Sequence, residues 1–123
     1  MLYFFYGENT YLLKKKIGQL RERFIREQGD TDISDAKGEN LDRASFSNLV
    51  FAVPFFSKKR LVIIRNLLLE NKDDELKKYI SKNLDKIPET TVLIFIEMGN
   101  PDNRTSLFKH LNQPKIAIKF DPL

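Results

Sequence analysis

Three short runs in this sequence, residues 2–6, 61–64 and 92–96, are apolar at every position and rich in β-branched or aromatic side chains. Successive side chains of a strand point to opposite faces, so a strand without polar alternation must be covered on both. Central strands of a parallel sheet held between two layers of helices meet that condition. Two weaker runs, 31–36 and 115–120, complete a set of five; the acidic residues of the first suit an exposed edge.

Helical periodicity fills the gaps. Leu13, Ile17, Leu20 and Phe24 recur at steps of four, three and four after Gly7, and Gly29 supplies a stop. Phe46, Leu49, Val50 and Val53 form a second stripe, with Asp42 as its cap and Pro54 as its end. A third stripe, Leu76, Tyr79, Ile80, Leu84 and Ile87, is closed by Pro88. The fourth, Leu107, Phe108 and Leu111, is entered through Asn100-Pro101-Asp102 and ends before Pro114. Strand and helix thus alternate along the chain. This predicts a three-layer α/β fold with a five-stranded, mostly parallel sheet and right-handed crossovers. With 123 residues, no internal repeat and no linker rich in Pro, Gly or Ser, the chain reads as one domain. It stops at Asp121-Pro122-Leu123, directly after the last strand, which predicts a longer parent protein.

Composition removes whole classes of chemistry. Cysteine is absent, which excludes disulfide frameworks, thiol catalysis and thiolate metal sites. The single histidine, His110, excludes sites built from several imidazoles. No apolar run approaches the ~18–20 residues of a spanning helix, and Met1-Leu2-Tyr3-Phe4-Phe5 lacks a basic leader, so a cytoplasmic protein is expected. Lys and Arg number 21 against 17 Asp and Glu, a net +4 that permits contact with nucleic acid or an acidic protein without demanding either. The positive charge clusters at Lys14-Lys15-Lys16, Arg21, Arg23 and Arg26, and again at Lys58-Lys59-Arg60, as a solvated helix face and loop would carry it.

In an open α/β sheet, ligands sit beyond the carboxyl ends of the strands. The loop after the first strand reads Tyr6-Gly7-Glu8-Asn9-Thr10-Tyr11. A phosphate cradle needs several glycines, so that backbone N–H groups converge, and a lysine for the terminal phosphates. Here a single glycine is followed by the acid Glu8, and lysines begin only at Lys14. Strand 61–64 runs into Arg65-Asn66, where a P-loop ATPase carries an acidic residue for magnesium; an arginine there opposes the ion. Strand 92–96 runs into Glu97, a lone carboxylate expected to be solvated. His110, between Lys109 and Leu111, is expected on the surface rather than in a Ser-His-Asp arrangement. Asp73-Asp74 sit at a helix start, where they serve its dipole. No catalytic residue, metal ligand or cofactor site is expected.

Four segments, taken in order, carry a resemblance to a known family. They are Leu2-Tyr3-Phe4-Phe5-Tyr6-Gly7-Glu8-Asn9-Thr10-Tyr11-Leu12-Leu13, then Pro54-Phe55-Phe56-Ser57-Lys58-Lys59-Arg60-Leu61-Val62-Ile63-Ile64-Arg65-Asn66-Leu67. Thr90-Thr91-Val92-Leu93-Ile94-Phe95 and Asp102-Asn103-Arg104-Thr105-Ser106-Leu107-Phe108-Lys109 follow. With them the chain resembles the N-terminal domain of the delta subunit of bacterial DNA polymerase III, the clamp-opening subunit of the clamp loader. The resemblance implies an AAA+-like, P-loop-type topology whose nucleotide site has been lost. It also implies two further domains, a helical lid and a helical collar, that this chain does not contain, and membership of a DNA-directed DNA polymerase holoenzyme.

By the same resemblance, the domain grips the ring-shaped sliding clamp, the beta subunit. Phe55 and Phe56 stand where the family carries a Leu-Phe pair that enters a hydrophobic pocket on the clamp, and Pro54, Ser57, Lys58 and Lys59 form the rim. Neighbouring side chains on a short connection diverge, and an exposed aromatic pair rimmed by basic residues has the make-up of an interface hot spot. Phenylalanine in place of leucine asks for a receiving pocket of a different shape. Other loader subunits would join through the missing domains and handle ATP. Lys14, Lys15 and Arg104 are candidates for weak contact with primed DNA, although aromatic residues interleaved as a stacking platform are missing. The expected setting is the replisome at the bacterial nucleoid. The alternative reading is a small flavodoxin-like α/β enzyme or a phosphate-binding regulatory domain. It needs an acidic metal pocket or a glycine-rich turn at the strand ends, and Gly7-Glu8 and Arg65-Asn66 supply neither.

Overall fold

Each of the three apolar runs is a central strand of one sheet in the computed structural model, which describes residues 1–29, 32–52 and 59–122. The strands are β1 (Leu2–Gly7), β2 (Ile33–Lys37), β3 (Arg60–Arg65), β4 (Thr91–Met98) and β5 (Ala117–Lys119). Their order across the sheet is β2-β3-β4-β1-β5, so the two weaker runs form the edges. Every pairing is parallel, where the sequence predicts a mostly parallel sheet. Phe4 lies beside Phe95 on one flank and Ala117 on the other, and Ile63 lies between Asp35 and Ile94. A flavodoxin-like sheet runs 2-1-3-4-5. Here β4 separates β1 from β3, which removes the topology of the alternative reading.

The helices are α1 (Thr10–Gln28), α2 (Arg43–Phe51), α3 (Leu67–Glu70), α4 (Asp74–Asn83) and α5 (Ser106–Leu111). The step from β1 to β2 runs one way across the sheet and every later step runs the other. Crossovers of a single hand then force α1 onto the opposite face from the rest. The core divides accordingly. Phe4, Tyr6, Val62, Ile64, Leu93 and Phe95 meet α2, α3, α4 and α5, whereas Phe5, Leu61, Ile63, Ile94 and Ile96 meet Leu13, Ile17 and Phe24 of α1. On the first face Phe4 stacks on Tyr6 with centroids 4.7 Å apart and meets Phe108 edge-on at 5.7 Å. Full burial of one such ring contributes ~1.5–3 kcal/mol.

Four helices start on side-chain caps. Asn9 accepts from the Leu12 N–H, Asp42 from Ser45, Asp73 from Leu76 and Thr105 from Phe108. Asp42 and Ser45 close a reciprocal capping box. Asp73 thus holds the helix-start position expected for it. The third apolar stripe is not helical to its end: α4 stops at Asn83 and the chain tightens into a 3-10 turn, Leu84–Lys86, that still buries Leu84. No helix among the described residues is long and apolar enough to cross a membrane.

Candidate functional site

The carboxyl end of β1, where a phosphate cradle would lie, is knitted into the chain's own backbone. Gly7 has φ of 137°, and a Cβ built on it would sit 2.2 Å from the Phe120 carbonyl oxygen, so glycine is required by both angle and space. The Gly7 N–H donates to Gly99 O at 3.0 Å and the Asn9 N–H to Phe120 O at 3.0 Å. Thr10 N–H donates to Glu8 O at 2.9 Å, and Leu12 N–H to the Asn9 side chain at 3.2 Å. Asn100 reaches across the mouth and donates to Glu8 Oε1 at 3.0 Å. Amides that a cradle would aim at an anion are bonded here to protein oxygens, with a carboxylate at the rim.

Arg65, at the end of β3, is turned to the edge of the sheet. Its Nε donates to Asp35 Oδ1 at 2.7 Å and its Nη2 to Asp35 Oδ2 at 2.9 Å, and this forked bond raises the guanidinium's pKa. Arg21 of α1 approaches the same carboxylate at 3.4 Å. Asn66 follows in the left-handed region with φ of 56°; its side chain accepts from the Met98 N–H at 2.8 Å and ties β3 to β4.

Glu97 corrects an expectation. A solvated carboxylate is predicted at the end of β4, yet Glu97 is fully buried. Its oxygens accept from the Leu68 and Leu69 N–H groups at 3.1 and 3.0 Å, at the start of α3. Burial pushes its pKa up to about 7, opposed by those two amides and by Lys77 and reinforced by Glu70. The four-residue helix α3 is too short to leave a periodic trace, so nothing in the sequence indicates that two of its amides need an acceptor. The carboxyl group at the end of β4 therefore organises backbone.

The residues singled out from the sequence fall in separate places. Pro54, Phe55, Phe56, Ser57 and Lys58 lie outside the described residues. Lys59 is exposed just before β3 and borders a crevice of about 170 Å³ with Phe24 and Leu61, between α1 and the amino ends of the strands. Lys14 and Lys15 are exposed on α1. Arg104 is exposed, and its fork closes on Asp102 through bonds of 3.0 Å, holding that carboxyl down at about 2. His110 is on the surface, with Nδ1 3.3 Å from Ser81 Oγ. Among the described residues no three His, Asp or Glu side chains are grouped to hold a metal ion.

A parallel sheet in this order, with one helix on one face and four on the other among the described residues, defines a P-loop-like α/β fold in which the turn after β1 is bonded to its own chain. The family model for the delta subunit of DNA polymerase III matches residues 3–121, and the chain belongs to that family. It is 29% identical over 122 residues to DNA polymerase III subunit delta of Bacillus subtilis (strain 168), covering 91% of this chain and 35% of that protein. The solved Bacillus subtilis DNA clamp loader delta protein superposes with a TM-score of 0.80 at 23% identity, over 99% of this chain and 38% of its own. The chain therefore spans 35–38% of the length of these relatives.

Proposed function

We propose that this chain is the N-terminal, AAA+-like part of a clamp-loader delta subunit, working in the bacterial cytoplasm, and that it binds the DNA sliding clamp and helps to open the ring. The observation that carries this reading is the family match across residues 3–121. Such a module needs no bond-making chemistry of its own. It shifts the clamp toward an open ring only by binding the open form better than the closed one. The anchor is Phe55 with Phe56, flanked by Pro54, Ser57, Lys58 and Lys59, in the segment that leads into the buried strand β3. Other loader subunits bind through lid and collar domains and supply the ATP-driven steps.

The test is comigration of the purified chain with the sliding clamp in gel filtration. A complex is expected, and its absence at micromolar concentrations counts against the reading. Truncating a hot-spot aromatic costs ~2–4 kcal/mol, or about 30- to 1,000-fold in affinity. Phe55→Ala with Phe56→Ala is therefore expected to abolish the complex while the circular dichroism spectrum and thermal melt stay unchanged. Undiminished binding by the double variant would place the anchor elsewhere.

A further inference from the structure

Arg60 closes the basic run Lys58-Lys59-Arg60, which is expected to be solvated, yet its side chain is only 19% exposed. Its Nε donates to Asp32 Oδ1 at 2.8 Å, just before β2, and its Nη1 to the Leu49 carbonyl at 3.2 Å. Leu49 lies in the last turn of α2, where helix carbonyls have no partner within the helix. Ala52 then leaves α2 in the extended conformation, with φ of −70° and ψ of 142°. Other elements supply the caps. Arg60 of β3 serves Leu49, and the buried Thr91 of β4 donates its hydroxyl to the Val50 carbonyl at 3.3 Å. A cation at this end also meets the negative pole of the helix dipole. The backbone is fixed at the same place: the Arg60 N–H donates to Thr90 O at 2.8 Å and the Leu61 N–H to Asp32 O at 3.0 Å. The end of α2 and the start of β3 are therefore braced against each other.

We infer that Arg60 is a positioning residue for clamp binding: with Asp32 and Thr91 it fixes where the chain leaves α2 and where it enters β3, the two points from which the anchor is presented. The partner rests on the clamp reading; the brace rests on geometry alone. Only residues 53–59 lie between Ala52 and Arg60. Over so short a connection, the separation and direction of its ends restrict the conformations open to it. A guanidinium suits this task, because its planar, spread donors reach acceptors on two elements at once and the Asp32 carboxylate holds the plane. A lysine ammonium keeps the charge without that spread. Fixing the ends beforehand removes their ordering from the binding step. A chain whose competent form is only a fraction of its population binds more weakly by that fraction.

The test is the binding kinetics of the 123-residue chain and its variants on immobilised sliding clamp, paired with amide hydrogen exchange of the free proteins. Arg60→Lys is expected to slow association about tenfold and to leave dissociation within about twofold, since the bound contacts are unchanged and only the competent fraction falls. Net charge is the same, so weakened electrostatic steering cannot produce that slowing. Asp32→Asn adds one positive charge. Steering toward an acidic clamp would then speed association, whereas a loosened brace slows it by about threefold. Thr91→Val removes the second cap at constant charge and shape and is expected to slow association about twofold; it serves as the probe where the other variants fail to fold. In the free chain, each variant is expected to speed exchange at least about fivefold at residues 50–52, 60 and 61, with β1 and α4 unchanged. Faster dissociation at unchanged association makes Arg60 a direct clamp contact and overturns the inference. Unchanged association by folded variants, or unchanged exchange at the two ends, also overturns it while the clamp reading stands. No clamp binding by the parent overturns the clamp reading, and the inference with it.

Discussion

The two faces of the sheet are built differently. One carries four helices and the stacked rings of Phe4, Tyr6 and Phe108, and its buried residues form a continuous layer from Leu41 to Leu111. Among the described residues, the other carries α1 alone. A single helix cannot cover five strands, so crevices open along it at both the amino and the carboxyl ends of the strands. The cations Lys14, Arg21, Arg23, Lys59 and Arg65 line those crevices. The four-helix side has a hollow too, of about 390 Å³, but residues of α2 and α4 line it and no strand does, whereas the crevices beside α1 reach the strands themselves.

The largest test of this contrast is removal of one ring from each face. Phe4→Ala should destabilise by ~3–5 kcal/mol in urea unfolding, because its packed surroundings cannot collapse around the void. Phe24→Ala, beside the amino-end crevice, should cost only about 2–3 kcal/mol, since part of its site already borders solvent. Equal losses would break the contrast.

Two glycines sharpen it further. Gly7→Ala forces a side chain onto the Phe120 carbonyl at a positive φ and should cost about 3 kcal/mol, at the upper end of single-residue backbone strain. Gly18→Ala lies mid-helix over open space and should stabilise by about 0.5–1 kcal/mol in the same melts. A destabilising Gly18→Ala would mean that the crevice is not open.

Glu97 gives the closed side a pH signature. Its pKa in the native state is about 7 against an ordinary 4.5, so the native state keeps a proton that the unfolded chain releases between those values. Stability therefore falls as pH rises through that window and is unaffected by this group above it, a loss of roughly 3 kcal/mol. Glu97→Gln should flatten the difference between melts at about pH 5 and about pH 8. An unchanged pH profile would show that Glu97 is ionised throughout.

The smallest effect belongs to the open side. Asp35→Asn removes the partner of two half-exposed arginines and should cost only ~0.5–1 kcal/mol after solvent screening.

Much of the fold was legible because its causes are local. Runs apolar at every position mark strands covered on both faces, and steps of three and four mark α1, α2, α4 and α5. The helix caps Asp42 and Asp73 were readable from residue type and place. The candidate site was legible only in part. Lys14 and Arg21, seven apart, share a helix face on any reading, but Arg65 and Asp35 join them only through the pairing of β2 with β3. Helix α3 and the burial of Glu97 left no local trace, because one turn of helix has no period and an acid at a strand end looks alike whether solvated or buried.

Composition and periodicity by themselves determined the class of fold, the absence of thiol and multi-imidazole chemistry, and a turn after β1 too poor in glycine to cradle phosphate. These follow from residue type and near-neighbour spacing, which act over a few positions of chain. The order β2-β3-β4-β1-β5, the isolation of α1 on one face, the carboxylate held by α3, and the gathering of Lys14, Arg21 and Arg65 at one crevice were decided only by the tertiary structure. Each depends on which strands pair across tens of residues. That choice is made by the collective burial of two apolar faces, and no short stretch of sequence encodes it.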